Sequence, residues 1–179
     1  MKQGGFSLVE ALIALAVVMG IASVLLVYSR DATDGKRALE FTMDIQRITD
    51  TLHRLYPATS PDGYKNLTGV QVTANVAPAI PDVGGLMSNP FGGNYAIAPT
   101  AWRGEQNAAA LIIANNIPAA LCPALVAQIK DRVNMLTVNT SSNIIKDGVS
   151  IDLAPADYFN ACKASPPSPN STTFFMVIL

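Results

Sequence analysis

Histidine and cysteine are scarce in this sequence of 179 residues, which has one histidine and two cysteines. The lone His53 has no second imidazole with which to share a metal, and no cysteine pair stands at the short spacing of zinc ligands. The segments FGG and VGG indicate turns, since neither forms a glycine-rich phosphate loop between a strand and a helix. Acid pairs such as Asp44 with Asp50, or Asp152 with Asp157, have spacings that are common on solvated surfaces. These absences argue against an enzyme and predict no bound metal or cofactor.

Charge is also scarce, at 14% of the residues, and the formal net charge is -1. A chain without an excess of positive charge has no field that would hold a polyanion. Clusters of arginine or lysine interleaved with aromatic residues are also missing. We therefore expect no nucleic-acid partner.

One stretch near the N-terminus has no charge at all, the eighteen residues Ala11–Tyr28. About 17–25 predominantly apolar residues span a bilayer core, so this run is a candidate membrane helix. A secretory signal would place its small-residue cleavage site after a short apolar core, whereas Gly4 and Gly5 precede this one. The run is therefore predicted to remain in the mature protein, with Glu10 near its head.

The head of the chain, GGFSLVEALIAL, resembles the class III signal of type IV prepilins and pseudopilins. The resemblance implies that a prepilin peptidase cuts after Gly5 on the cytoplasmic face and that the new first residue, Phe6, is N-methylated. The segment NPFGGNYAIAP, the helical pattern around Cys122 and the late Cys162 are similar to the larger type IVb pilins, including those of thin conjugative pili. The five-residue leader departs from that subclass, whose leaders are commonly longer.

Glu10 needs a partner, because a carboxylate inside hydrocarbon costs about 2.5–3.5 kcal/mol on insertion scales. Once a leader carrying Lys2 is removed, the nearest positive charge is the new α-amino group of Phe6. A rigid helix separates these two groups within one chain, but Glu10 of an incoming subunit can meet the amino group of its neighbour. The resemblance to type IV pilins implies the same pairing. We therefore assign Glu10 to filament assembly.

The two cysteines, Cys122 and Cys162, form an even pair in a chain with an export-type N-terminus, which favours one disulfide. A bridge between them would constrain about forty residues and stabilise the fold by roughly 3–4 kcal/mol. Two free buried thiols are the alternative.

A single long helix is predicted from Phe6 to Leu55 and is ended by Pro57. Its second half is amphipathic. The apolar face contains Phe41, Ile45, Ile48, Leu52 and Leu55, and the charged face contains Lys36, Arg37, Glu40, Asp44, Arg47, Asp50 and Arg54.

Short strands are predicted after the helix, in GVQVTANV, GVSIDLA, AALIIA, NMLTV and the closing TTFFMVIL. Between them, either Pro118 begins a helix that Pro123 kinks, or Pro123 lies in its true first turn. The fold class is α+β, with a long helix on an antiparallel sheet. The resemblance implies the pilin fold, in which the apolar half of that helix protrudes.

The domains follow from these assignments: a leader at 1–5, a transmembrane and filament-core helix half at 6–29, and a globular pilin domain at 30–179 that includes the amphipathic helix half 30–56. The resemblance implies a structural subunit of a type IV pilus that polymerises with its own copies for adhesion, aggregation or mating contact. Its other implied partners are the prepilin peptidase and the inner-membrane assembly platform. Before assembly the chain would cross the inner membrane once with its globular domain in the periplasm, and afterwards it would lie in an extracellular fibre.

Two alternatives remain open at this point. The first is a minor pilin or a secretion-system pseudopilin, which shares the same head. The second is a membrane-anchored periplasmic binding domain, for which neither Gly5 before Phe6 nor Glu10 would be needed.

Overall fold

The computed structural model describes residues 8–57, 63–76, 80, 82–83, 86–140, 144–148, 151–163 and 171–179. Within these ranges the side chains of residues 8–10, 24–31, 70, 76 and 82–83 are not described. The chain divides into two compact units, Met1–Lys36 and Arg37–Leu179.

Helix α1 covers Leu8–Leu55, so its predicted end is confirmed, while its predicted start at Phe6 lies outside the described residues. In the second unit four side chains of the predicted apolar face are fully inaccessible, Phe41, Ile45, Ile48 and Leu52, and the fifth, Leu55, is partly exposed. The assignment of Asp44 to the charged, solvated face is wrong, because Asp44 is only 6% exposed. It follows Phe41 by three residues and precedes Ile45, so a wide apolar face includes it.

A seven-stranded antiparallel sheet forms the centre of the second unit, with the strand order β1-β2-β3-β4-β7-β5-β6. The strands are β1 Asp82–Val83, β2 Leu86–Ser88, β3 Asn94–Trp102, β4 Glu105–Pro118, β5 Met135–Val138, β6 Ile144–Lys146 and β7 Ser171–Ile178. Strand β7 lies between β4 and β5, since Met176 pairs with Ile112 on one side and Leu136 on the other. The predicted strands AALIIA, NMLTV and TTFFMVIL are confirmed as parts of β4, β5 and β7.

Three further α-helices lie in the described part of the second unit: α2 at Gly69–Val76, α3 at Cys122–Ile129 and α4 at Tyr158–Lys163. Short 3-10 helices precede α4 at Pro155–Asp157 and follow α3 at Lys130–Arg132. Pro118 ends β4, whereas Pro123 lies in the first turn of α3. The structure therefore selects the second of the two predicted positions for the helix start.

The strand predicted for GVQVTANV is wrong, because this segment is helix α2. The backbone N–H groups of Gln71 and Val72 donate to the carbonyl oxygen of Thr68, at 3.1 and 3.4 Å. The N–H of Gln71 also donates to the Thr68 hydroxyl oxygen at 3.4 Å, so Thr68, directly before the first helical residue, contributes both of its oxygens to the first turn. Burial of Val72 and Thr73 then outweighs the strand preference of the valines.

The strand predicted for GVSIDLA is also wrong over its described residues, where a single bridge joins Asp152 to Lys146. The Asp147 side-chain oxygen accepts from the N–H of Ile151 at 2.8 Å. Gly148 has a φ of +75° and could not carry a β-carbon without approaching the carbonyl oxygen of Asn134 to 2.7 Å. Over the described residues, one bridge therefore stands where the sequence predicts a longer strand.

The core of the second unit is centred on Phe41 of α1. Its ring lies 5.8 Å from the rings of Phe91 and Tyr95 and 6.1 Å from that of Phe174, measured between centroids. These distances are typical of favourable aromatic pairs, which add about 0.5–1.5 kcal/mol each to the gain from burial. The second half of α1 is thus packed on the sheet, as the α+β prediction requires.

Candidate functional site

The first unit exposes an unusual amount of apolar surface. Seven of its side chains are between 53% and 63% exposed: Leu12, Ile13, Leu15, Val17, Val18, Met19 and Ile21. A helix that is apolar on all sides is normally buried, and contiguous exposed apolar surface marks an interaction site. This part of α1 is therefore a binding surface for other apolar groups.

The predicted processing and assembly residues lie at the margin of the described chain. Gly5 and Phe6 are outside the described residues, and for Glu10 the backbone is helical while the side chain is not described. Their predicted roles stay predictions. Over the portion of the chain that the structure describes, no helix meets the length and hydropathy expected of a membrane span.

The predicted disulfide is present between Cys122 and Cys162, whose Cα atoms are 6.0 Å apart. It joins the first residue of α3 to α4 across forty positions of sequence, and both residues are buried. A second connection lies nearby, where the Lys130 ammonium donates to Asp152 at 2.9 Å. This hydrogen bond raises the pKa of Lys130. Two separate links therefore hold the segment around α4 against α3.

Asp44 is an acidic group of the second unit that is buried in the described structure. The Tyr95 hydroxyl donates to one carboxylate oxygen at 3.3 Å, and the Arg47 guanidinium lies 3.4 Å from the other. Burial raises the pKa of Asp44 to about 6, because it outweighs the opposing effects of Tyr95 and Arg47. The pKa of Tyr95 is raised as well, first by burial and then by the Asp44 charge. The pair connects α1 to β3 through the core.

A cavity of about 390 Å³ opens beside Asp44. Its walls come from α1 on one side and from the end of β2 with the following loop on the other. The lining residues are Glu40, Met43, Asp44, Arg47, Ser88, Asn89 and Pro90. The cavity therefore combines two carboxylates, one guanidinium and an apolar wall.

Two asparagines hold the loop that closes this cavity. The Asn89 side-chain oxygen accepts from the N–H groups of Phe91 and Gly93, at 2.9 and 3.1 Å, and its amide donates to the Asn115 carbonyl at 2.7 Å. Asn115 in turn accepts from the N–H of Asn94. A β-carbon on Gly93 would stand 2.2 Å from the Asn115 carbonyl oxygen, so only glycine fits. The loop is thereby fixed before anything enters the cavity.

Sequence reasoning did not find this cavity. Its signals were weak: one acid inside an apolar periodicity, and asparagines on both sides of a glycine pair. The prediction treated NPFGGNYAIAP as a family resemblance, without a role for Asn89. The contact between that loop and Asn115 joins residues 26 positions apart, which no local pattern indicates.

The remaining sequence candidates do not form a site. His53 is exposed, and its Nε2 lies 2.9 Å from the backbone oxygen of Leu179. Asp50 is exposed while Asp44 is buried, and Asp152 pairs with Lys130. No cluster of three or more histidines, cysteines or acids that could hold a metal occurs among the residues described.

Solved structures with the same fold include two pilins. TcpA, a type IV pilin from Vibrio cholerae El Tor biotype, has 14% sequence identity and a TM-score of 0.56 over 79% of this chain and 98% of that chain. The type IV b pilin from Salmonella typhi has 18% identity and a TM-score of 0.55 over 79% and 97% of the two chains. Among curated protein sequences, none matches this chain.

A long helix packed on an antiparallel sheet, with one disulfide between α3 and α4, defines the class of protein: the fold is that of the type IV pilins, with a type IVb pilin among its structural neighbours. The family model described as PilS N terminal matches residues 36–178, and the chain belongs to this family. The family and the fold are those of a structural, non-enzymatic subunit of a pilus. The predictions of a pilin, of its fold class and of a non-enzymatic role are thus confirmed.

Proposed function

We propose that the chain is a major subunit of a type IV pilus, processed at its N-terminus and polymerised through the first half of α1 into a fibre for adhesion, aggregation or mating contact. The observation that carries the proposal is the exposed apolar surface of Leu12–Ile21. Such a surface is stable only against lipid or against other helices, and a fibre subunit meets both in turn. The core of the second unit is complete without it.

Before assembly, the chain is held in the inner membrane with its second unit in the periplasm. This step is supported by the eighteen uncharged residues Ala11–Tyr28, which continue into positions whose side chains the structure does not describe. The buried disulfide also supports an oxidising compartment for the second unit.

The prepilin peptidase is the proposed partner for processing, and it cuts after Gly5 and methylates Phe6. The inner-membrane assembly platform then receives the mature chain. N-terminal sequencing by mass spectrometry tests this step directly, with an N-methylated Phe6 as the expected first residue. A first residue other than Phe6 in chains recovered with the peptidase present would favour the membrane-anchored binding domain.

Glu10 is proposed to pair with the amino group of Phe6 in a neighbouring subunit. We predict that Glu10→Ala leaves a cleaved, membrane-inserted chain but lowers the yield of sheared filaments by at least about tenfold. The reason is that an unpaired terminal charge among apolar helices is costly. Glu105→Ala, which removes an exposed acid at the start of β4, is the matched control and keeps wild-type yield. Normal filaments from Glu10→Ala would contradict the assigned role.

A minor pilin or a pseudopilin would share the fold and the family. The copy number in sheared fibres separates these roles, since a major subunit accounts for most of the fibre mass. A protein present at a few copies per fibre would be a minor pilin.

A further inference from the structure

The sheet of the second unit is apolar on the face opposite the core as well. Strand side chains alternate between the two faces, and an antiparallel sheet with one packed face is commonly polar on the other. In β7 the core side consists of Phe174, Met176 and Ile178. The positions between them on the outer face, Phe175 and Val177, are also apolar and do not belong to that core. The outer face therefore has an apolar surface that the core does not explain.

A cavity of about 250 Å³, which we call the outer cavity, opens on this face. Its lining comes from four neighbouring strands, β3, β4, β7 and β5. Trp102 and Phe175 are its aromatic walls, and Leu111, Met135 and Val177 provide most of the remaining apolar lining. The outer cavity thus has the aromatic and aliphatic lining that is typical of small-molecule sites.

Thr137 presents a hydroxyl to the outer cavity. Its neighbours Leu136 and Val138 are in the core, so its side chain is on the outer face, where it pairs across the sheet with Phe175. Thr137 is 3% exposed, and among the described residues none forms a hydrogen bond with its hydroxyl. A buried hydroxyl without a partner costs free energy, which a ligand that bonds to it would recover.

We propose that the outer cavity binds a small neutral phenol, with its ring against Trp102 and Phe175 and its hydroxyl on Thr137. An apolar cavity of about 150 Å³ holds benzene, whereas drug-sized ligands need about 300–1,000 Å³. The volume of about 250 Å³ lies between these values and accepts one ring with a small substituent. Aromatic walls and the Met135 sulfur both favour an aromatic ring over an aliphatic one.

The polar groups around the outer cavity favour a neutral ligand with few hydroxyls. None of its described lining residues is charged, and a buried charge without a partner is costly. Arg103 and Glu105, which lie beside Trp102, have opposite charges and select neither sign. A sugar would bring several hydroxyls, but the described side chains offer only the hydroxyls of Thr100 and Thr137 and the indole N–H. A phenol brings one hydroxyl.

Nuclear magnetic resonance on the full chain in lipid nanodiscs tests the proposal. Trp102 is the only tryptophan, so labelling tryptophan with 15N gives a single indole signal at the outer cavity. We expect phenol to shift this signal to saturation and methyl glucoside to bind at least about tenfold more weakly, because its additional hydroxyls stay unpaired. No saturable shift with phenol would overturn the proposal, as would methyl glucoside binding as tightly as phenol.

A pair of threonine variants tests the hydroxyl contact. Thr137→Val keeps the shape of the side chain and is expected to weaken phenol binding about fivefold, the factor for one net hydrogen bond. Thr49→Val is the matched control, since Thr49 is on α1 and its buried hydroxyl is also unpaired among the described residues. It should keep wild-type affinity, and a cooperative thermal transition checks that both variants fold.

Wild-type affinity for phenol in Thr137→Val would overturn the proposal, because the cavity would then bind the ring without recognising its hydroxyl. An equal loss of affinity in Thr49→Val would overturn it as well. Neither result bears on the proposed function, since binding to the outer cavity is measured on unassembled chains.

Discussion

Asp44 occupies a position in α1 where a charge is not expected. It is 6% exposed, its partners are 3.3 and 3.4 Å away, and its pKa is raised to about 6. A raised pKa means that the folded protein binds a proton more tightly than the unfolded chain does. The stability that this proton contributes is fully present below the ordinary value of 3.8 and is lost as the pH rises through about 6.

Asp44→Asn is expected to remove this dependence, because the amide is neutral and still offers an oxygen to the Tyr95 hydroxyl. The unfolding free energy of the variant should exceed that of the wild type by about 1–3 kcal/mol at pH 7 and should show no such gain at pH 4. Denaturant unfolding of the variant and the wild type at pH 7 and pH 4 measures this difference in unfolding free energy. Asp50→Asn, at an exposed position of the same helix, is the control. An equal effect of Asp44→Asn at both pH values would show that lost hydrogen bonding, and not the charge, dominates.

At the scale of elements, the disulfide joins two short helices. Helix α4 has six residues, and α3 has eight. Helices of this length are marginal on their own, since isolated helices shorter than about 12–15 residues are barely stable in water. Their order therefore depends on packing and on the bridge between them.

Replacing both Cys122 and Cys162 by serine is expected to lower the unfolding free energy of the second unit by roughly 3–4 kcal/mol. The reason is that a bridge across forty residues restricts the unfolded chain. Thermal unfolding of the double variant, compared with the wild type with and without reductant, measures the effect. The reduced wild type should resemble the variant, and a wild type unaffected by reductant would show that the bridge adds nothing.

The elements differ in how far the sequence could predict them. Helix α1 and strand β7 could be predicted because each is long or uniformly apolar, so that local pattern and burial agree. Helix α2 could not be predicted, because its valines favour a strand. The hydrogen bond from Gln71 to the Thr68 hydroxyl and the burial of Val72 stabilise a helix instead. The cavity could not be predicted either, because its two walls, in α1 and in the loop after β2, are more than forty residues apart in the chain.

At the scale of the whole molecule, the two units differ in where their apolar side chains lie. The second unit has its own core, and the family model matches residues 36–178, almost the same part of the chain. The first unit instead exposes its apolar side chains, between Leu12 and Ile21.

A fragment of residues 37–179 is expected to fold and to stay monomeric without detergent, because it keeps the core and lacks the exposed apolar helix. Sedimentation analysis measures its mass, and a cooperative thermal transition is the control for folding. The full chain without detergent should associate into large species under the same conditions. Association of the folded fragment into large species would place the main adhesive surface in the second unit.

The position of β7 has a consequence for biosynthesis. This strand follows β4 and β5 in the chain but is inserted between them, so neither neighbour can complete its pairing until residues 171–178 have been synthesised. A nascent chain that stops earlier has two open strand edges, which are templates for aggregation and for recognition by proteases. A chain must therefore include β7 before its second unit has a continuous sheet and a closed core.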